Sequence, residues 1–168
     1  MANTDASKIN HIGVSVSVPD INDAIDWYKK IFGFRLIGGP DTIKADDSTR
    51  GLVFKDIFGS DFKEVKVAWL SSGNQVGIEI FQFIHPKAER RTDNFEYWKS
   101  GFFHICITVH NIEKICATIR DNGGFVRSNV HKPFADKEKY QLAYCEDPYG
   151  NIIEIFTHDF EEFISARE

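Results

Sequence analysis

An internal repeat constrains this chain more than any other feature, because a segment present twice must fold twice in the same way. Ile9-Asn10-His11-Ile12-Gly13-Val14-Ser15-Val16 is matched by Phe102-Phe103-His104-Ile105-Cys106-Ile107-Thr108-Val109. Both alternate aliphatic with small or polar residues, the period of a half-buried strand. A helical stretch follows each. The first opens at Pro19-Asp20 and sets Ile21, Ala24, Ile25, Tyr28 and Phe32 on one face; the second runs from Asn111 through Ile112, Ile115, Cys116 and Ile119 to Asn122-Gly123-Gly124. An apolar spacing of i, i+3, i+4, i+7 predicts amphipathic helices, and the Asn-Gly-Gly run is a good helix stop. Glycine then leads into Phe34 and Phe125 at matching points, each the expected start of a strand.

The far ends of the halves match as well. Gly77-Ile78-Glu79-Ile80-Phe81 corresponds to Ile152-Ile153-Glu154-Ile155-Phe156, and a Gly-Asn turn precedes both. Strands are expected before those turns, at Val65–Leu70 and Tyr140–Cys145, with a less regular one near Val126–Val130. Each half thus reads as strand, helix, then three strands. The expected organisation is a first module over 9–84, a linker over 85–101, a second module over 102–158 and a tail over 159–168, the tail a short exposed helix. Residues 38–64 read as a long excursion with an apolar insert at Leu52-Val53-Phe54.

Strand alternation assigns the polar residues of the repeat to one face. Ile12, Val14 and Val16, and Ile105, Ile107 and Val109, form the aliphatic faces that the helices should cover. His11, Gly13 and Ser15, and His104, Cys106 and Thr108, face the other way. In the last strands Glu79 and Phe81, and Glu154 and Phe156, turn away from the isoleucines. A carboxylate set inside Ile-Glu-Ile-Phe is expensive without a partner. A single His or Glu on a strand is ordinary, but here both recur at equivalent places and on the same face. Two imidazoles and two carboxylates converging about a pseudo-twofold axis would suit one divalent transition metal: Ni, Zn, Co, Mn or Fe(II). His85, His110, His131 and His158 have no repeat partner and read as surface or capping residues, with His158 near the pocket rim. Lys87-Ala88-Glu89-Arg90-Arg91 reads as a solvated charge run.

Composition removes several other classes. Across 168 residues, 20 Lys+Arg against 25 Asp+Glu leave a net charge of −5, which lacks the positive field that nucleic acid requires. The apolar runs are too short for a membrane span, and no charged-then-apolar leader is evident, so a cytoplasmic protein without a membrane partner is expected. Three cysteines, Cys106, Cys116 and Cys145, have no CxxC spacing and read as small buried hydrophobes in a reducing compartment. Fifteen phenylalanines are unusual for this length. Phe81 and Phe156, beside the two carboxylates, point to an apolar pocket wall.

These residues resemble the vicinal oxygen chelate superfamily, which includes glyoxalase I, methylmalonyl-CoA epimerase, extradiol dioxygenases and fosfomycin- or bleomycin-resistance proteins. The resemblance spans about residues 9–158. It rests on His11-Ile12-Gly13-Val14, Ala24-Ile25-Asp26-Trp27-Tyr28, Phe32-Gly33-Phe34, Gly77-Ile78-Glu79, Phe103-His104-Ile105 and Glu146-Asp147-Pro148-Tyr149-Gly150-Asn151-Ile152-Ile153-Glu154. The fold it implies is α+β: two βαβββ modules forming a U-shaped mixed sheet around a metal site. The order His, Glu, His, Glu looks most like bacterial glyoxalase I. By that likeness His11, Glu79, His104 and Glu154 would bind the metal. Glu154 would be the first catalytic base beside a substrate carbonyl, and Glu79 the candidate for a second proton transfer. A homodimer is implied too, with sequence leaving open whether ligand pairs join within a chain or across subunits.

Two positions depart from glyoxalase I. Ser15 stands where that family usually has an arginine for the glutathione carboxylate, and Phe83 where it usually has an asparagine. Both changes remove a polar contact and favour a more apolar small-molecule carbonyl substrate over the ordinary glutathione hemithioacetal. The expected activity is therefore a glyoxalase-like isomerase or lyase. The alternatives on the same scaffold are an Fe(II) extradiol-type dioxygenase and a non-catalytic sequestering protein of the bleomycin-resistance type.

Overall fold

The computed structural model describes residues 7–167. The chain divides into two compact units, Met1–Glu89 and Arg90–Glu168. In the first, β1 (His11–Ser15), α1 (Ile21–Phe32), β2 (Arg35–Lys44), α2 (Thr49–Phe58), β3 (Glu64–Ser71) and β4 (Gly77–His85) follow in order. In the second, β5 (Ile105–Thr108), α3 (Ile112–Asp121), β6 (Phe125–Val126), β7 (Leu142–Glu146), β8 (Ile152–Phe156) and α4 (Phe160–Ser165) do so. The sheets have orders β1-β4-β3-β2 and β5-β8-β7-β6, each with one parallel pair and the rest antiparallel. Each is therefore the expected βαβββ module, α+β in class. No helix among the described residues is long and apolar enough to cross a membrane.

Local chemistry accounts for the helices. The Asp20 carboxylate accepts from the Asn22 backbone N–H at 3.0 Å and caps α1, while Gly33 closes it in the left-handed region at φ 69°. Ile21, Ala24, Ile25 and Tyr28 are buried against the sheet, as their spacing requires. Asn111 caps α3 through the Lys114 N–H at 2.8 Å, and Ile112, Cys116 and Ile119 form its buried face. Val14, Val16 and Val109 lie on the helix-covered sides of β1 and the end of β5. The polar residues of the repeat are thereby left on the opposite faces.

The structure differs from the sequence expectation at three places. The excursion over 38–64 is largely ordered as the end of β2 and as α2, capped by the Ser48 hydroxyl accepting from the Gly51 N–H at 3.0 Å. Regular pairing of β6 stops at Val126, and only the His131–Leu142 bridge resumes it. The tail is not a wholly exposed helix. Phe163 of α4 is buried and stacks on Phe156 with centroids 4.0 Å apart.

α2 and α4 play matching parts although they come from unrelated stretches of sequence. In the first unit Phe58 of α2 packs against Phe81 and Phe83, over a core of Ile43, Phe62, Val65 and Val67. In the second, Phe163 and Phe134 pack with Tyr140 and Phe156. Each sheet is thus capped at one end of the face opposite its long helix, and the histidine and glutamate lie on the uncapped remainder.

Candidate functional site

In the first unit, the parallel register of β1 and β4 sets Gly13 beside Glu79 and His11 beside Gly77. The His11 Nε2 atom lies 3.0 Å from Glu79 Oε2. The other ring nitrogen, Nδ1, is 2.8 Å from the Asn10 side-chain oxygen. With that oxygen accepting from Nδ1–H, a neutral ring presents its Nε2 lone pair to the carboxylate. Two acceptors 3.0 Å apart need a proton or a metal cation between them. Atoms bound to one ion at about 2.0–2.2 Å, at angles near 90–110°, stand about 2.8–3.6 Å apart. The pair fits that spacing.

The second unit repeats the arrangement. His104, immediately before β5, has Nε2 3.2 Å from Glu154 Oε2 of β8. Its Nδ1 is buried and has no hydrogen-bond partner among the described residues. A buried ring nitrogen left unpaired costs about 1–3 kcal/mol, an expense that fits retention of this imidazole for something other than packing. The donor set is again one imidazole and one carboxylate, chemistry suited to a borderline divalent ion. No cluster of three or more His, Cys, Asp or Glu side chains able to hold a metal is present among the described residues. Each unit thus carries two of the four residues of the expected ligand set.

Sequence reasoning missed an aromatic donor beside each carboxylate. Trp69 is the antiparallel partner of Glu79, and its Nε1–H donates to Glu79 Oε1 at 2.7 Å. Tyr144 is the antiparallel partner of Glu154, and its phenol interacts with that carboxylate. Desolvation first, and then the Glu154 carboxylate, push the Tyr144 phenol well above its ordinary value, so it remains a donor. The signal was available: Ala68-Trp69 and Ala143-Tyr144 stand at the same distance before Glu79 and Glu154. Two glycines let the first of these rings and its neighbour lie close over the sheet. A Cβ on Gly38 would come 3.2 Å from the Trp69 ring, and one on Gly13 would come 3.3 Å from Phe81.

Cys106 corrects the reading of all three cysteines as buried hydrophobes. Cys116 and Cys145 are buried, but Cys106 is exposed. It sits on the polar face as the parallel partner of Glu154. Desolvation first and the neighbouring Glu154 second push its thiol up to about 12.

The surroundings of the two pairs differ. Near Glu79, Arg50 of α2 lies over the Trp69 ring at 5.5 Å and is held by Asp41 at 2.6 Å. Phe81 and Phe83 are half-buried and stacked on each other at 5.9 Å. Near Glu154, Phe103 packs edge-on to His104 at 4.3 Å, and Phe95 lies 6.0 Å from Tyr144. Phe95 belongs to the linker stretch, which is strapped down where the Asn94 amide donates to Glu146; Arg127 pairs with the same carboxylate. Phe156 is only 7% exposed under Phe163, so it supports the face from beneath α4. His158 lies against Tyr140 at 4.4 Å and Thr157 at 2.9 Å, tied to the α4 end of the unit.

A family model described as the Glyoxalase/Bleomycin resistance protein/Dioxygenase superfamily matches residues 8–155. A lactoylglutathione lyase of Pseudomonas putida is 25% identical over 146 residues, covering 82% of this chain and 79% of that protein. A lactoylglutathione lyase of Schizosaccharomyces pombe is 29% identical over 160 residues, covering 92% of this chain; the chain spans about half (49%) of that relative's length. Among solved structures, a glyoxalase family protein from Bacillus cereus superposes with a TM-score of 0.70 at 18% identity, covering 93% of this chain and 97% of that one. That last likeness speaks for the fold.

Proposed function

The chain belongs to the Glyoxalase/Bleomycin resistance protein/Dioxygenase superfamily, and on that premise we propose that it is a metal-dependent glyoxalase-like isomerase or lyase moving a proton next to the carbonyl of a small, largely apolar molecule. The observation that carries this reading is the duplicated pair, His11 with Glu79 and His104 with Glu154, each closed to 3.0–3.2 Å with an aromatic donor on its carboxylate. Together the four residues form the ligand set of one divalent ion, Ni, Zn, Co, Mn or Fe(II), with the pairs meeting in a homodimer. When bound, such an ion supplies Lewis acidity to vicinal oxygens of the substrate.

The remaining work falls to the chain's own groups. Glu154 takes the proton from the carbon beside the carbonyl and returns it to the neighbouring carbon, and Glu79 serves the second transfer. The Trp69 N–H fixes one oxygen of Glu79 and so orients that carboxylate, and the protonated Tyr144 phenol stands beside Glu154. Phe81 and Phe83 supply apolar wall on the Glu79 side, whereas Phe156, covered by Phe163, is packing beneath α4 and not the pocket wall expected of it. Ser15, exposed on the face of β1 that carries His11, offers a hydroxyl where a glutathione carboxylate would need a cation. The lyase names of the two relatives support the reaction class.

Elemental analysis of the purified protein, followed by carbonyl isomerisation assays with and without glutathione, tests the proposal. The expected result is stoichiometric transition metal and turnover that needs no thiol. Glu154→Gln should retain the fold and lose turnover by at least about a hundredfold, the scale of general acid–base catalysis. Full activity in that variant would sink the base assignment.

A further inference from the structure

Away from the polar faces, two thiols lie together between α3 and β7. Cys116 Sγ is 3.9 Å from Cys145 Sγ, and the residues are 29 apart in sequence. Cys145 is wholly buried and Cys116 is 5% exposed. Cys116 also lines a recess of about 660 Å³ shared with Arg120, Ser128 and His131, with Glu113 at its edge. One thiol therefore reaches a solvent-connected hollow bearing a guanidinium, and the other stands directly behind it. A covalent S–S separation is about 2.0 Å, so from 3.9 Å the two sulfurs need only a short approach to bond.

We propose that Cys116 and Cys145 form an oxidisable dithiol, a modification site at which a hydroperoxide converts the two thiols into a disulfide linking α3 to β7. The pair divides the labour. The Cys145 S–H holds the Cys116 thiol below its ordinary value against the cost of burial, with Arg120 one turn along α3 helping and Glu113 opposing; Cys145 is pushed the other way and keeps its proton. Cys116 thiolate attacks one peroxide oxygen, the O–O bond breaks, and the other oxygen leaves as hydroxide or alkoxide, protonated to water or alcohol. The sulfenic acid on Cys116 is then attacked by the Cys145 sulfur. The S–S bond forms, the S–O bond breaks, and the Cys145 proton leaves with the hydroxyl as water. Two thiols and one hydroperoxide give one disulfide, one alcohol or water, and one water. Cys145 lies between Tyr144 and Glu146 in β7, so the bridge anchors the strand that presents Tyr144 to Glu154.

The test uses the full chain, fully reduced and treated with hydrogen peroxide, then quenched with catalase, unfolded and alkylated. The expected product is lighter by about 2 Da before alkylation, carries one alkylatable cysteine, Cys106, and yields a Cys116–Cys145 linked peptide that dithiothreitol removes. Cys145→Ser should stop at a dimedone-reactive sulfenic acid on Cys116, heavier by about 16 Da. The proposal is overturned if all three thiols stay alkylatable at peroxide levels that oxidise free cysteine. It is also overturned if the linkage involves Cys106, or if Cys116 in Cys145→Ser gives no dimedone adduct. None of these readings depends on metal loading or turnover, so they stand apart from the proposed reaction.

Discussion

Replacing Trp69 by phenylalanine would remove one hydrogen atom of consequence and leave most of the ring. In the native protein both oxygens of Glu79 are engaged, Oε1 by Trp69 at 2.7 Å and Oε2 opposite His11 at 3.0 Å. A hydrogen bond to a charged group contributes about 1.5–3 kcal/mol. The Glu79 side chain is 22% exposed, so water can partly replace the lost donor and the loss in metal-free protein should fall to about 1–2 kcal/mol. For a chain of this size that lowers the melting temperature by about 3–6 °C. The effect on a bound ion should be larger in proportion, because a ligand oxygen free to rotate must be ordered again on binding. Loss of an outer hydrogen bond typically weakens metal affinity about 10–100-fold. Chelator competition with Co(II) or Zn(II) measures affinity, and urea unfolding of the metal-free protein measures stability. If Trp69→Phe bound metal as tightly as the parent, the N–H would have no orienting role, whatever happened to stability.

Four further outcomes complete the set. With ligand pairs shared across a homodimer, mixing unfolded His11→Ala and His104→Ala chains and refolding them should restore about a quarter of the parental sites, since half the dimers are mixed and one site in each is intact. No recovery would refute sharing between subunits. Phe163→Ala, which empties the stack on Phe156, should cost about 3 kcal/mol; a denaturation midpoint unchanged from the parent would remove α4 from the core. The Asp20 carboxyl is held below its ordinary value by the Asn22 backbone N–H. Its contribution to α1 is therefore full above the unfolded pKa of about 3.9 and is lost as pH falls through the lower folded value. Urea unfolding midpoints of Asp20→Asn, which lacks that carboxylate at every pH, should accordingly lie below the parent's at neutral pH and converge on them in strong acid. The Cys116–Cys145 bridge, closing a loop of about 30 residues, should stabilise the oxidised protein by about 3–4 kcal/mol less any strain; a lower melting temperature after oxidation would show that strain dominates.

Periodicity made most of the framework legible. The spacing of Ile21, Ala24, Ile25 and Tyr28 located α1 and its buried face, and the alternation in Ile152–Phe156 located β8 with Glu154 turned from the isoleucines. The same alternation put His11 and Glu79 on one face, and His104 and Glu154 on another, where the structure finds each pair in contact. α2 was hidden because Leu52, Val53, Phe54, Ile57 and Phe58 are spread around the helix; Phe54 packs on the core and Phe58 touches neighbouring rings while still part exposed, and Leu52, Val53 and Ile57 stay exposed. No single apolar stripe marks such a segment. The burial of Phe163 depends on Phe156, a contact between elements that local pattern does not encode. Trp69 and Tyr144 escaped for a different reason. Aromatic residues on a strand usually signal packing, and their role as donors emerges only when register places them opposite a carboxylate.

The difference between those two donors has an optical consequence. The chain has three tryptophans: Trp27 is buried in α1, Trp98 is largely exposed, and Trp69 donates its indole N–H to Glu79 of the repeat. The equivalent place in the second unit holds a tyrosine. Excitation at the red edge of tryptophan absorption therefore reaches the ring paired with Glu79 and not the ring paired with Glu154. A cation arriving at Glu79 withdraws charge from the oxygen that the indole touches and should shift Trp69 emission. The molecule thus carries, in contact with Glu79, a native fluorophore that can time the arrival of the ion.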